Sequence, residues 1–436
     1  MALRAPTGTT DLLPEQAHAW NSIRTVALAT FGLYGYQPIE TPVFEQLEVF
    51  VRGIGDATDV VGKEMFLTFS QHAVEKIASG EKPSLADTLA LRPEQTAGVA
   101  RAIAQHNLVP PEAATLKLVY AGSMFRHERP QKGRLREFHQ IGAECIGSAE
   151  PSADAEVIIM LMRFFESLGI PQDAMRLLIN SMGDDDCRPA YREQVRAYIL
   201  AHTTELCDEC VRRADTNPLR SFDCKNPKCQ EIMTDAPAIT DALCPSCAAH
   251  YTTVKSLLDD AAITYVEQPC LVRGLDYYTR TVFEVQVVDG LGAQNAIGGG
   301  GRYDKLIAEF GGKPTPGLGF AVGFERIVLA LQAAGAEGYA LPHPQVYIAA
   351  VDASTRAMAF SLANRLRDVG IATELDHQSR SLKSQFKQAG RSGALFVVIV
   401  GPDEMARGVV TLRNMQSSEE QTVPLDDLVE KVSTTI

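Results

Sequence analysis

Phe125-Arg126-His127-Glu128-Arg129-Pro130-Gln131-Lys132-Gly133-Arg134, running on through Leu135 to Glu144, joins a cationic loop to a strand. Arg126, Arg129, Lys132, Arg134 and Arg136 crowd a segment of a chain whose formal charge is −13, so the local field opposes the global one. An anionic ligand is expected there. Side chains alternate along the strand, so Gln140, Gly142 and Glu144 share one face, with Gly142 leaving room for a ligand between two polar groups. Read alone, the segment fits a β-hairpin with a charged tip equally well.

A chain of 436 residues exceeds one ordinary core, and two or three domains are expected. Hydrophobic residues at 45% and charged ones at 22% describe a soluble globular protein. No window is apolar enough to span a bilayer, and Met1 to Pro6 lacks the apolar core of a signal peptide, which predicts a cytoplasmic enzyme with no membrane partner. The acidic balance excludes a non-specific nucleic-acid coater but not a polynucleotide met through local patches. Nine cysteines, six of them in one short region, read as a metal or packing cluster more than a secreted disulfide framework.

Ala17, Trp20, Ile23, Ala27 and Phe31 predict a helix over 16–34, followed by an extended segment from Tyr36 to Phe44. Leu116 to Met124 and Leu135 to Ile146 read as an antiparallel pair, and Pro151 to Leu168 as a helix ending before Gly169. Helical patterns and the cysteines mark an insertion at about 187–260. Strand signals resume at Thr281 to Val287, and a helix from Phe324 to Leu331 closes a first domain over 1–332. Residues 333–344 read as a linker, and 345–436 as a second domain of alternating β and α elements around a small mixed or parallel sheet.

Glycines 298 to 301, before Arg302-Tyr303-Asp304, lack the Gly-Lys-Ser/Thr ending of a P-loop and the spacing of a dinucleotide fingerprint. They are read as backbone packed closely under a ligand. A glycine-spaced strand, Gly317 to Gly323, runs into a helix whose first turn carries Arg326, where a cation opposes the helix dipole. A ligand anion would explain that placement; so would an ordinary solvated arginine. Glu94, Gln95 and Thr96 offer a carboxylate, an amide and a hydroxyl at a loop-to-helix junction, to begin a helix or to receive an ammonium group. Leu271 to Arg280 packs Arg273, Arg280, Tyr277 and Tyr278 ahead of a strand.

Together these segments resemble the class II aminoacyl-tRNA synthetases, and specifically the histidyl-tRNA synthetase family. The resemblance covers nearly the whole chain. Pro6 to Pro14 opens it, and Ile39-Glu40-Thr41-Pro42 looks like the family's first motif and Phe125 to Glu144 its second. Leu271 to Thr279 and Gly298 to Leu306 resemble two histidine-specific signatures, and Gly317 to Leu329 the third class-defining motif. The fold implied is α/β: an α+β catalytic domain on a central antiparallel sheet, a helical Cys-rich insertion, and a C-terminal α/β anticodon-binding domain.

The resemblance implies that Arg126 and Arg326 hold the ATP phosphates with Arg134 assisting, as bidentate guanidinium groups suit phosphate oxygens. Arg273 becomes the cation nearest the α-phosphate, and Arg126, Arg273 and Arg326 the catalytic set. L-histidine would be held by Glu94, Thr96 and Gln140 at its ammonium group, with Arg273 and Tyr277 beside it. Glu144 and the Tyr278 hydroxyl would bracket the imidazole. Arg129, Gln131 and Lys132 would reach the acceptor end of tRNA(His), Mg²⁺ would accompany ATP, and the Pro42 segment would build a homodimer.

Cys207-x2-Cys210, Cys224-x4-Cys229 and Cys244-x2-Cys247 carry spacings that suit structural Zn²⁺. These six exceed one four-coordinate site, and the preferred set is Cys224, Cys229, Cys244 and Cys247, with Cys207 and Cys210 as rivals. Two other readings stand beside the ligase: a histidine-binding regulatory paralogue of ATP phosphoribosyltransferase, and a zinc-stabilised nucleic-acid-binding protein without catalysis. The regulator would lack the C-terminal module and typically erodes the phosphate arginines, whereas this chain keeps both.

Overall fold

The structure is a computed structural model that describes residues 3–435 apart from 56–57, 59, 82–87, 110–113, 132, 273, 290, 292–294 and 337–342. Two compact units, Met1–Tyr339 and Ala340–Ile436, divide the chain. The strands of the first unit are β1 (Gln37–Pro38), β2 (Phe44–Gln46), β3 (Leu67–Phe69), β4 (Thr88–Leu91), β5 (Leu116–Phe125), β6 (Glu137–Ile146), β7 (Met175–Ser181), β8 (Val266–Glu267), β9 (Thr279–Val287), β10 (Ala296–Arg302) and β11 (Gly317–Gly323). Its helices are α1 (Pro14–Gly32), α2 (Leu47–Ile54), α3 (Gln71–Ala78), α4 (Thr96–His106), α5 (Pro151–Ser167), α6 (Arg188–Ala201), α7 (Asp208–Thr216), α8 (Pro227–Thr234), α9 (Pro245–Asp260), α10 (Leu306–Glu309) and α11 (Phe324–Ala333).

Among the described residues, eight strands form the main sheet in the order β1-β5-β6-β11-β10-β9-β7-β8. Its centre is antiparallel, and the parallel pairs β1/β5 and β7/β8 lie at the edges. The extended stretch after α1 splits into β1 and β2, because Pro38 can close only an edge strand and β2 turns away to a small sheet with β4 and β3.

Alternation along the strands divides the unit into two layers. Val119, Ile141, Ala143, Phe283, Val285 and Phe320 point to a core roofed by α1, α5, α9 and α11. Leu118, Tyr120, Tyr278, Val282 and Tyr303 point the other way, to α4, α6 and the insertion. Gln140, Gly142 and Glu144 pair across the β5–β6 ladder with Gly122, Tyr120 and Leu118, which puts them on that second face. The expectation for Gly142 needs correcting here. A Cβ at that position would fall on the Tyr120 ring, so the glycine makes room for a tyrosine and not for a ligand.

The run Gly298 to Gly301 lies inside β10, between β9 and β11. A Cβ on Gly300 would strike the backbone of Gly319, and one on Gly301 would meet the Thr281 carbonyl. Close approach therefore serves strand against strand at these two, whereas Gly298 and Gly299 line a cleft.

The second unit carries β12 (Val346–Ala350), β13 (Thr373–Leu375), β14 (Phe396–Val400), β15 (Val409–Asn414) and β16 (Glu420–Pro424), with α12 (Arg356–Asp368), α13 (Leu382–Ser392), α14 (Pro402–Ala406) and α15 (Leu428–Thr435). Its sheet runs β13-β12-β14-β15-β16, parallel among the first three strands and antiparallel beyond. Val346, Ile348, Leu362, Leu366, Val398 and Val410 build its core. The elements after Val400 carry short alternating runs that periodicity alone leaves unassigned.

Candidate active site

An open cleft of about 790 Å³ lies on the second face of the main sheet. Arg126, at the end of β5, Arg134 in the following loop and Arg326 in the first turn of α11 all line it, with Gln140, Glu128 and Glu284. The loop is pinched by paired backbone bonds between Gln131 and Arg134, with Gly133 at positive φ. Arg129 and Gln131 are exposed at its tip, whereas Lys132 lies outside the described residues.

Each cleft arginine is anchored by the fold. Arg126 donates from Nε to the Pro93 carbonyl at 2.9 Å and sits over the Phe138 ring. Arg326 donates to the Ala296 carbonyl at 2.6 Å. Arg134 is ion-paired with Glu128 at 2.6 Å. The Arg326 guanidinium is pulled below its ordinary pKa, first by burial and then by the charge of Arg134 beside it. Crowded cations with lost hydration are what an incoming polyanion would stabilise.

The strand-to-helix turn holding Arg326 is fixed by its neighbours. Glu325, which the sequence did not single out, accepts the backbone N–H of His139 in β6 at 3.0 Å. Phe324 stacks on Trp20 of α1, and Trp20 meets His139 edge-on.

Beyond Gln140 the same face becomes a buried acid–phenol cluster. Gln140 lines the cleft, and its Oε1 is buried without a hydrogen-bond partner among the described residues. Glu144 accepts the hydroxyl of Tyr303 on Oε2 and that of Tyr120, at 3.3 Å, on Oε1. Burial pushes its carboxyl up to about 8, against the pull of those phenols and of Thr96, with Glu94 adding repulsion. Glu94 caps α4, taking the backbone N–H groups of Thr96 and Ala97 at 2.9 and 2.8 Å, and burial raises its pKa too. Tyr278 is buried, its ring packs on Tyr277, and Tyr277 meets Tyr303 edge-on. Arg273 lies outside the described residues.

The phenols that hold Glu144 are thus Tyr303 and Tyr120, to which the sequence alone assigns no role. Cross-strand pairing of Tyr120 with Gly142 was the available signal for one, and the position of Tyr303 behind the glycine run for the other. Arg92, beside Glu94, is structural: it donates to the carbonyls of Ser123 and Thr41 at 2.8 and 2.9 Å.

The preferred cysteine set is corrected by the structure. Cys224 and Cys229 cluster with Cys207 and Cys210, whereas Cys244 and Cys247 cluster with Asp184 and Cys187. Cys207 starts α7 and Cys229 lies in α8, so the first four meet inside the insertion; α9 carries the other pair back to the end of β7. All nine cysteines are unbonded thiols.

Comparison with known proteins agrees with this arrangement. The model of the family described as histidyl-tRNA synthetase matches residues 8–327, and one described as an anticodon binding domain matches 345–435. The chain is 46% identical over 436 residues to a histidine–tRNA ligase of Moorella thermoacetica, covering 99% of this chain and 98% of that one. It is 45% identical over 430 residues to one of Desulforamulus reducens, covering 98% of each. The apo crystal structure of S. aureus histidyl-tRNA synthetase superposes with a TM-score of 0.81 at 34% identity, over 99% of this chain and 100% of that one. The chain belongs to the histidyl-tRNA synthetase family.

Proposed function

We infer that the chain is a histidine–tRNA ligase, which activates L-histidine with ATP to histidyl-adenylate and transfers the histidyl group to the 3′ end of tRNA(His). One observation carries the reading for this chain: a cleft with three arginines runs, through Gln140, into a buried acid–phenol cluster on one sheet face. The first half suits a triphosphate and the second a small amino acid with a polar ring.

Arg126 and Arg326 hold phosphate oxygens, and Arg134 leaves Glu128 to join them as the nucleotide enters. Glu94, Thr96 and Gln140 Oε1, which has no partner among the described residues, receive the substrate ammonium. Glu144, oriented by Tyr303 and Tyr120, takes one imidazole nitrogen, and Tyr278, with Tyr277 behind it, faces the other. The substrate carboxylate attacks the α-phosphorus and pyrophosphate departs; the terminal tRNA hydroxyl then attacks the activated carbonyl. Charge grows on phosphoryl oxygens, so fixed guanidinium groups, Arg273 among them, and correct positioning supply the acceleration. Glu284 lines the cleft beside Gly298 and Gly299, a hard oxygen donor suited to the Mg²⁺ that neutralises phosphate charge.

Arg129, Lys132 and Gln131 contact the acceptor end, and residues 345–436 bind the anticodon, with 1–332 as the catalytic domain and the insertion at about 187–260. Val43 and Phe44, exposed beside Pro42, supply apolar area for a homodimer. Among the described residues no helix is long and apolar enough to cross a membrane, and the reaction belongs in the cytoplasm with its tRNA. Histidine-dependent ATP–pyrophosphate exchange tests the reading. Histidine binding without exchange would replace it with the regulatory paralogue.

A further inference from the structure

We propose that the chain holds two structural zinc ions, one on Cys207, Cys210, Cys224 and Cys229 and a second on Asp184, Cys187, Cys244 and Cys247. In each set the candidate ligand atoms all lie within 4.8 Å of one another. Zinc–sulfur bonds of about 2.3 Å place the sulfurs of a regular tetrahedron about 3.8 Å apart. The Sγ atoms of Cys207 and Cys224 are 3.8 Å apart, far beyond the roughly 2.05 Å of a disulfide.

The same arithmetic applies to the second set. With a carboxylate oxygen at about 2.0–2.2 Å from the ion, each oxygen–sulfur edge is about 3.5–3.7 Å. Asp184 Oδ1 lies 3.5 Å from the Cys187 sulfur and 3.7 Å from that of Cys244. Its other oxygen, Oδ2, accepts from Arg280 at 3.3 Å, the outer-sphere contact that orients a ligating carboxylate. Gly183 is needed for this geometry: its φ is +63°, and a Cβ there would lie 2.6 Å from the Cys187 sulfur.

Ligand spacing and local backbone agree. Each site joins two short-range pairs, Cys207-x2-Cys210 with Cys224-x4-Cys229, and Asp184-x2-Cys187 with Cys244-x2-Cys247. Cys187, Cys207 and Cys244 stand at the N-caps of α6, α7 and α9, where the helix dipole favours a thiolate. Backbone N–H groups already point at sulfur: Cys207 N to Cys229 at 3.2 Å, Asp184 N to Cys187 at 3.3 Å, and Cys247 N to Cys244 at 3.5 Å. The first ion would staple the insertion's small helices to each other. The second would fasten α6 and α9 to the end of β7 and, through Arg280, to the segment that carries Tyr278.

The test is the metal content of the full chain purified without added metal or chelator. Two zinc per chain are expected, falling to one in Cys210→Ser and to one in Cys247→Ser. Should either variant fail to fold, cobalt exchanged into the wild-type protein must bind at two per chain, with tetrahedral d–d bands and thiolate charge-transfer intensity for seven sulfurs. A folded, metal-free protein, a single ion lost in both variants, or iron with inorganic sulfide would each overturn the proposal.

Discussion

Tyr303 donates its hydroxyl hydrogen to Oε2 of Glu144 while Tyr120 donates to Oε1, so this deeply buried carboxylate of the ring pocket is held from both sides by phenols. Each donor favours the ionised form, yet burial wins and carries the carboxyl to about 8. The pocket is therefore polar, rigid and costly to charge before substrate arrives.

That cost has a pH signature. Between about 4.5, where the unfolded chain releases this proton, and about 8, where the native state does, the native protein binds more protons. Stability from this group is present below the lower value and is lost as pH rises through the upper one. Glu144→Gln should remove that loss, so its melting temperature relative to wild type should rise as pH goes from 5 to 8, while histidine-dependent exchange disappears. Parallel melting profiles for the two proteins would refute the burial argument.

Tyr303→Phe keeps the ring packing on Tyr277 and deletes one donor to a carboxylate. The bond matters once Glu144 ionises against the substrate ring, where a hydrogen bond to a charged group contributes about 1.5–3 kcal/mol, so KM for histidine should rise roughly 10- to 100-fold. KM for ATP should stay within about twofold, because the cleft arginines are not touched. Steady-state exchange with each substrate varied in turn measures the split.

Arg326 and Arg134 differ in what they relinquish on binding. Arg134 already holds Glu128 and must exchange one anion for another, whereas Arg326 is destabilised by burial and by its cationic neighbour. Arg326→Ala is expected to lower the exchange rate by about 10²–10³, as for loss of one preorganised charge stabiliser. Arg134→Ala should cost less. A larger effect at Arg134 than at Arg326 would reverse the assignment.

How much of this was legible beforehand depends on the range of the interaction. The β5–β6 pair, α1, α5 and α11 follow from local periodicity, and Arg126, Arg134, Arg326 and Gln140 fall in one cleft as the motifs imply. Tyr303 lies 159 residues from Glu144, and Asp184 lies 60 from Cys244, so no local pattern pairs them. Spacing along the chain leaves the pairing of the cysteines open, and only the return of α9 to the end of β7 separates them into two sets. The neighbours of Gly142 on β6 suggest ligand space, whereas the residue that needs the glycine is Tyr120, across the ladder.

Gly142 therefore makes a clean test of that ladder. Gly142→Ala would drive a methyl group onto the Tyr120 ring and push the phenol off Glu144. Overpacking of this kind typically costs about 1–3 kcal/mol, to be read from urea unfolding midpoints. A ligand-clearing glycine would instead leave stability unchanged and lower only substrate affinity.

Arg302 follows the glycine run directly, and its contacts are structural. It is fully buried in an ion pair with Asp154, and it also donates to the Ser148 carbonyl at 2.7 Å and to Asp304 at 3.1 Å. Burial pushes the Asp154 carboxyl up, but His250 and Arg302 outweigh it and hold the pKa below the usual carboxylate value. That contribution is present at neutral pH and is lost as the pH falls through the lowered native value. Arg302→Met leaves a buried carboxylate with His250, 3.4 Å away, as its remaining ionisable partner, and should cost about 3–5 kcal/mol. Replacing the pair together, Arg302→Met with Asp154→Leu, should recover much of that loss, because no charge is then stranded. Urea unfolding of the single and double variants measures the difference; equal destabilisation in both would mean that the arginine's carbonyl contacts, and not the ion pair, hold this corner of the sheet.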